Sequence, residues 1–317
     1  MESTIIISQI FILAVVVIIG AIAAKFKVLT YESKDMLSKV IYNISLPLML
    51  FTNFLKLEAT PRLLENSAVV LSVSGFIIMF LLFVGWLTTR IFNIDGREAA
   101  IFRVHSMFGN TIFLGFPLIK ALYGEEGLLY ASMFQLISTI IMWTVGVVVI
   151  TYGHGTSWKK SLLRVINPNT IATLLGLALF LLSVKLPKLI VTPLSEVGSA
   201  NTWLSMLYIG AMLTFSSVGG LLKRKSIYIL SFNRLMLVPL IIIALFVLAA
   251  SIPGATPDKM VSAVIILEVS MPCMASVVIM ARELGADDHL AVANVFVSTI
   301  LSILTLPVVL MAINKFL

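Results

Sequence analysis

Glu268 sits in the apolar run Val264-Ile265-Ile266-Leu267-Glu268-Val269, and no other charged residue lies between Lys259 and Arg282. A carboxylate at the middle of a membrane costs on the order of 2.5–3.5 kcal/mol even on the lenient insertion scale. It must therefore be protonated, paired with a cation or bound to an ion, or else join two helices through a hydrogen bond. Pro272 follows Glu268 by one helical turn and on the same face. A second chemically loaded stretch is Gly109-Asn110-Thr111, with His105 and Arg103 before it and Gly115 and Pro117 after it. Proline removes a backbone donor and clashes with the preceding turn, and glycine loosens a helix. Such breaks survive in a bilayer only where protein or a wet cavity satisfies the freed backbone groups. Met271-Pro272-Cys273 and Gly109-Asn110-Thr111 thus mark one candidate substrate site, with Glu268 and His105 as candidate carriers of a coupling ion or proton. Asn43 and Pro47 form a third break. Gln135, Ser138, Asn294 and Ser298 either line a cavity or join helices.

The elements that must hold these residues are membrane helices. The chain is 60% hydrophobic and only 12% charged, against about 25% charge in soluble domains. Its mean hydropathy is +1.09, more apolar than a soluble core can hide, so the lipid bilayer is a partner. With roughly 20 apolar residues per span, ten spans are expected: Ile5–Ala24, Met36–Leu55, Ser67–Phe92, Ala99–Leu122, Gly127–Tyr152, Asn169–Val184, Gly198–Phe215, Ile227–Ala250, Met260–Ala281 and His289–Phe316. Turn signals separate them, among them Asn93-Ile94-Asp95-Gly96, Tyr123-Gly124-Glu125-Glu126-Gly127 and Ile252-Pro253-Gly254. The stretch Lys185–Glu196, with two prolines, reads as a link holding a short interfacial piece.

The two halves, 1–152 and 153–317, resemble each other. Ser138-Thr139-Ile140-Ile141 in helix 5 matches Ser298-Thr299-Ile300-Leu301 in helix 10, each after a glycine-acid break. Five helices per half is an odd number, which makes the halves an inverted repeat with the breaks of helices 4 and 9 in matching places. The expected fold is all-α and integral to the membrane.

The net charge of +7 reflects orientation rather than nucleic-acid binding. One set of alternate breaks collects 15 Lys and Arg residues, including Lys159, Lys160, Lys223, Arg224, Lys225 and Arg234, and the other collects 7. The larger set belongs in the cytoplasm, which puts both termini outside. In that orientation the second halves of helices 4 and 9 begin at the breaks and aim their amino-terminal dipole ends at one spot, which favours a carboxylate. No zinc-protease, serine-hydrolase or Walker signature occurs, and Cys273 is the single cysteine. No enzyme activity, resident cofactor or metal is expected.

The strings NISLPLMLF (43–51), GNTIFLGFPLIKALYGEEGLLYASMF (109–134), GAMLTF (210–215) and MPCMASVVIMARELGADDHLAVANVFVSTILSILTLPVVL (271–310) resemble the auxin efflux carrier family. That family holds the plant PIN-formed auxin exporters and bacterial permeases assigned to malate or malonate. The resemblance covers nearly the whole chain. Without a long central hydrophilic loop, it fits a short prokaryotic member. It implies helices 1, 2, 6 and 7 as a scaffold, helices 3–5 and 8–10 as a mobile transport domain, and crossing helices 4 and 9. It also implies elevator-type carriage of a small organic anion across the cell membrane, in a homodimer. The family's binding asparagine matches Asn110, and its second crossover proline matches Pro272. Two departures stand out. Plant members often carry Pro-Asn-Thr where this chain has Gly109-Asn110-Thr111, and often a proline in helix 7 where this chain has Trp203. Asn43, Pro47 and Trp203 would then face the pocket from the scaffold. The sequence leaves open whether transport is coupled to H+ or to Na+. A sodium/proton antiporter on this fold and a non-transporting membrane sensor are the competing readings.

Overall fold

The computed structural model describes residues 2–151, 163–215, 218–251 and 258–316, and its regular elements there are all helical. In chain order they are α1 (Glu2–Lys25), α2 (31–55), α3 (Pro61–Ile91), α4 (Gly96–Met107), α5 (Thr111–Ile150), α6 (Pro168–Leu181), α7 (Lys188–Phe215), α8 (Lys225–Ala250), α9 (Lys259–Ser270), α10 (Ser276–Glu283) and α11 (Asp288–Phe316). Four of them, α3, α5, α8 and α11, are long and apolar enough to cross a membrane, and Phe11–Lys25 and α6 are shorter apolar helices. Large apolar side chains such as Phe76, Leu189 and Leu304 are exposed, at 79%, 89% and 72%. A water-facing surface does not carry side chains of that kind in such number, and lipid does.

Helix stops where the sequence placed the two main breaks: between α4 and α5 and between α9 and α10. The Gly124 break is a sharp bend inside α5, with φ 66° and ψ −151°, a conformation that only glycine adopts without strain. The expected link Lys185–Glu196 is different. α7 already begins at Lys188 and runs through Pro193. The Ile252-Pro253-Gly254 break and the Lys159-Lys160 pair lie outside the described residues.

Proline also shapes the helices from within. Ile41–Ser45, Thr111–Gly115 and Asn233–Leu237 are widened π turns, and each ends two residues before a proline: Pro47, Pro117 and Pro239. The proline ring displaces the carbonyl four residues back, so the ladder relaxes to longer bonds. The N–H of Leu46 accordingly bonds Ile41 O, and that of Val238 bonds Asn233 O.

The helices form two compact units. The first comprises 1–68, 112–136 and 166–215. In it α1 and α7 approach backbone to backbone at Gly20 and Gly210, where a β-carbon would strike the facing main chain. Ser45 Oγ on α2 donates to Asn201 Oδ1 on α7 at 3.1 Å. The second unit comprises 69–111, 137–165 and 216–317. In it α9 is buried on every side from Val261 to Ser270, and α4 nearly so. A helix apolar all round belongs in such a core. Asn233 Nδ2 on α8 donates to Thr88 Oγ1 on α3 at 2.7 Å.

Candidate functional site

Within the second unit the two breaks pair with each other. Phe108 and Met271 are both extended, with φ/ψ of −114°/123° and −64°/144°. Gly109 and Cys273 form an antiparallel bridge. The N–H of Asn110 donates to Pro272 O at 2.7 Å, and the N–H of Met274 donates to Phe108 O at 3.2 Å. The interrupted helices thus satisfy each other's backbone, which is what a helix break in hydrocarbon requires. α11 supplies the rest from a buried polar stripe at four-residue spacing. Ser298 Oγ accepts the N–H of Cys273 at 3.0 Å, and Asn294 Nδ2 lies 3.2 Å from His105 Nδ1. With Asn294 as donor, the His105 proton resides on Nε2 of the wholly buried ring. Asn294 and Ser298 therefore act as joints between helices here.

A residue that sequence reasoning assigned elsewhere closes the site. Arg234, counted above among the basic residues flanking the membrane, is carried by α8 into the core and is only 2% exposed. Without it the count of 15 falls to 14 against 7, and the asymmetry stands. Its Nε donates to Met271 O at 2.7 Å, and its Nη1 donates to His105 O at 3.1 Å and Ser106 O at 2.8 Å. The carbonyls of His105 and Ser106 belong to the last turn of α4 and that of Met271 to the residue capping α9, the groups a helix end leaves unsatisfied. In the sequence Arg234 stands five residues before Pro239, within the expected span Ile227–Ala250, and no motif sets it apart from the basic run Lys223-Arg224-Lys225.

Glu268 is fully buried, and neither carboxyl oxygen has a hydrogen-bond partner among the described residues. Arg234 is the charge that acts on it. The structure thus brings together His105, Gly109, Asn110, Thr111, Glu268, Met271, Pro272 and Cys273 in one unit. Asn43, Pro47 and Trp203 belong to the other unit. There Asn43 is exposed and donates to Lys39 O at 3.0 Å, Pro47 is buried, and Trp203 is 49% exposed. No group of three or more His, Cys, Asp or Glu residues suited to a metal occurs among the described residues.

The glycine at 109 has a local cause. A β-carbon there would collide with Nη2 of Arg234 and lie 3.0 Å from the β-carbon of Met271. Arg234 is pinned by three acceptors and cannot swing aside. Gly109→Ala is therefore expected to cost about 1–3 kcal/mol through overpacking, read as a lower Tm of the purified protein. An unchanged Tm would show that the guanidinium is not held where these bonds place it.

A lipid-facing helical protein that buries its charges at a crossing of two broken helices has the make-up of a membrane transporter. The chain belongs to the membrane transport protein family, whose model matches residues 5–160 and 154–310. It is similar to an uncharacterized transporter of Methanocaldococcus jannaschii, at 26% identity over 310 residues, covering 93% of this chain and 94% of that protein. It is also similar to an uncharacterized transporter of Methanothermobacter thermautotrophicus, at 27% identity over 298 residues, covering 92% of this chain and 93% of that protein. The protein is thus a multi-pass membrane protein of a transporter family.

Proposed function

We propose that the protein is a secondary transporter of a small organic anion, a carboxylate such as malate, malonate or an auxin-like acid. The observation that carries this reading is the antiparallel crossing at Gly109 and Cys273, with Asn110 beside it. A helix resumes directly after each break, at Thr111 and at Ser276, and helix amino termini favour anions. The fold in this reading is ten spans in an inverted 5+5 repeat. Helices 3–5 and 8–10 move as an elevator against helices 1, 2, 6 and 7. The movement must then slide residues 112–136 past the helices with which they pack in this conformation.

The deciding experiment is a thermal-shift screen of the purified protein against carboxylates, with and without sodium and at two pH values. A carboxylate at about a hundredfold excess over its Kd adds about 2.7 kcal/mol of stability, a shift of several degrees. Stabilisation by sodium or protons alone, with no carboxylate effective, would favour an antiporter and overturn the proposal. Binding without flux in proteoliposomes would favour a sensor.

The proposed setting is the cell membrane, as a homodimer; the Lys and Arg asymmetry supports the placement of both termini outside. A reporter active only in the cytoplasm, fused after Leu317, is expected to stay silent. Strong signal from that fusion would reverse the orientation or change the number of spans.

A further inference from the structure

Arg234 is an unusual tenant for an apolar core. A buried ion loses its water, and the effective penalty is several kcal/mol unless its surroundings return the interaction. Here three backbone carbonyls, those of His105, Ser106 and Met271, accept from the guanidinium. They cap α4 and α9, and each helix carboxyl end carries roughly half a negative charge. The two ends together offer about one negative charge to one guanidinium. Glu268, buried on α9, forms no ion pair with the guanidinium, so the oxygens that hold Arg234 are those of the main chain. Carbonyl oxygens converging on one positive charge are the kind of ligand a hard cation such as an alkali or alkaline-earth ion takes. In this chain the cation is covalently part of the protein. Gly109 is the residue that leaves room for it, since any side chain there would strike Nη2.

We infer that Arg234 is the resident counter-cation of the helix crossing, occupying an oxygen cage that would otherwise call for an alkali ion, so that the crossing is assembled without sodium. The inference rests on the crossing itself and is tested without substrate, so a failed carboxylate screen and a failed cation test are separate results. It also names Arg234 as a positioning residue. By holding the ends of both first half-helices, it fixes where Asn110 and Cys273 stand.

The test measures the unfolding temperature of the purified protein in sodium, potassium and choline chloride at equal ionic strength. The wild type is expected to show the same midpoint in all three. A saturable, sodium-specific rise in the wild type would overturn the inference, because a ligand that binds the folded state must stabilise it. Arg234→Ala empties the cage. Its midpoint is expected to be lower in choline and to rise saturably with sodium or with added guanidinium, which no surface effect of salt would mimic at equal ionic strength. A folded Arg234→Ala protein indifferent to both ions would also overturn the inference. Should that variant fail to accumulate, Arg234→Gln takes its place, and the wild-type measurement decides by itself. Arg234→Lys keeps the charge but lacks the planar fork that reaches several acceptors at once. It is expected to fall between wild type and alanine, and to gain little from sodium.

Discussion

Replacing Glu268 by glutamine is expected to give a protein that still binds and exchanges substrate but no longer responds to pH. The carboxyl group is wholly buried and accepts no hydrogen bond among the described residues. Its charge is answered by Arg234, around which Cys273 and His105 are the other titratable side chains. Arg234 is itself committed to three carbonyls at two helix ends, so an ionised Glu268 leaves the crossing with excess negative charge. An incoming anion is repelled by that charge and welcomed when Glu268 is protonated. By linkage, proton binding and anion binding then favour each other. For the wild type, substrate binding should strengthen as pH falls, by up to about tenfold per pH unit for one coupled proton. The Glu268→Gln variant is fixed in the neutral state, and its uptake should be flat over the same range. The measurement is uptake into proteoliposomes at subsaturating substrate across a pH series. A glutamine variant with the wild-type pH profile would leave Glu268 a structural residue and move attention to His105, whose ring is also wholly buried in this unit.

Asn110→Ala is expected to abolish uptake while leaving the protein folded in the membrane. The link that Asn110 makes across the crossing uses its backbone, the N–H to Pro272 O at 2.7 Å, and alanine keeps that bond. What alanine removes is the amide side chain, buried beside the bridge of Gly109 and Cys273. A hydrogen bond to a charged ligand is worth about 1.5–3 kcal/mol, which corresponds to a loss of roughly 10- to 150-fold in affinity at about 1.4 kcal/mol per tenfold. The check is uptake together with the unfolding temperature. Uptake should fall at least about tenfold, and the midpoint should move little. Normal uptake would remove Asn110 from the site. Lost uptake with a collapsed midpoint would assign it to folding instead.

Much of this was legible in the chain. Apolar runs of membrane length, separated by glycine, proline and charge, placed the helices, because a segment in lipid must bond its own backbone and so leaves few alternatives to helix. Pro272 and the Gly109-Asn110-Thr111 triplet marked where helix fails, since the missing donor and the missing side chain act locally. Glu268 announced itself by cost, because a lone carboxyl group among Val264, Ile265, Ile266 and Leu267 has no local explanation. The start of α7 at Lys188 was less legible, because two nearby prolines argue against helix and packing overrides them.

Tertiary structure decided what those residues meet. Nothing in the spacing of 109 and 273 says that the two breaks run antiparallel and exchange hydrogen bonds, because that pairing joins segments more than 160 residues apart. Nor does sequence distinguish a basic residue at a membrane edge from one in the core. Arg234 follows Lys223, Arg224 and Lys225 closely enough to be counted with them, yet α8 carries it inward to the ends of α4 and α9. The physical reason is that burial of a charge is settled by its acceptors, and here they are main-chain carbonyls, which every residue has and no sequence motif displays. Composition and spacing therefore determined a membrane protein with helices broken at Gly109-Asn110-Thr111 and Pro272. Only the packing of α4, α8, α9 and α11 decided that a guanidinium holds those breaks together, and that position 109 must be glycine to admit it.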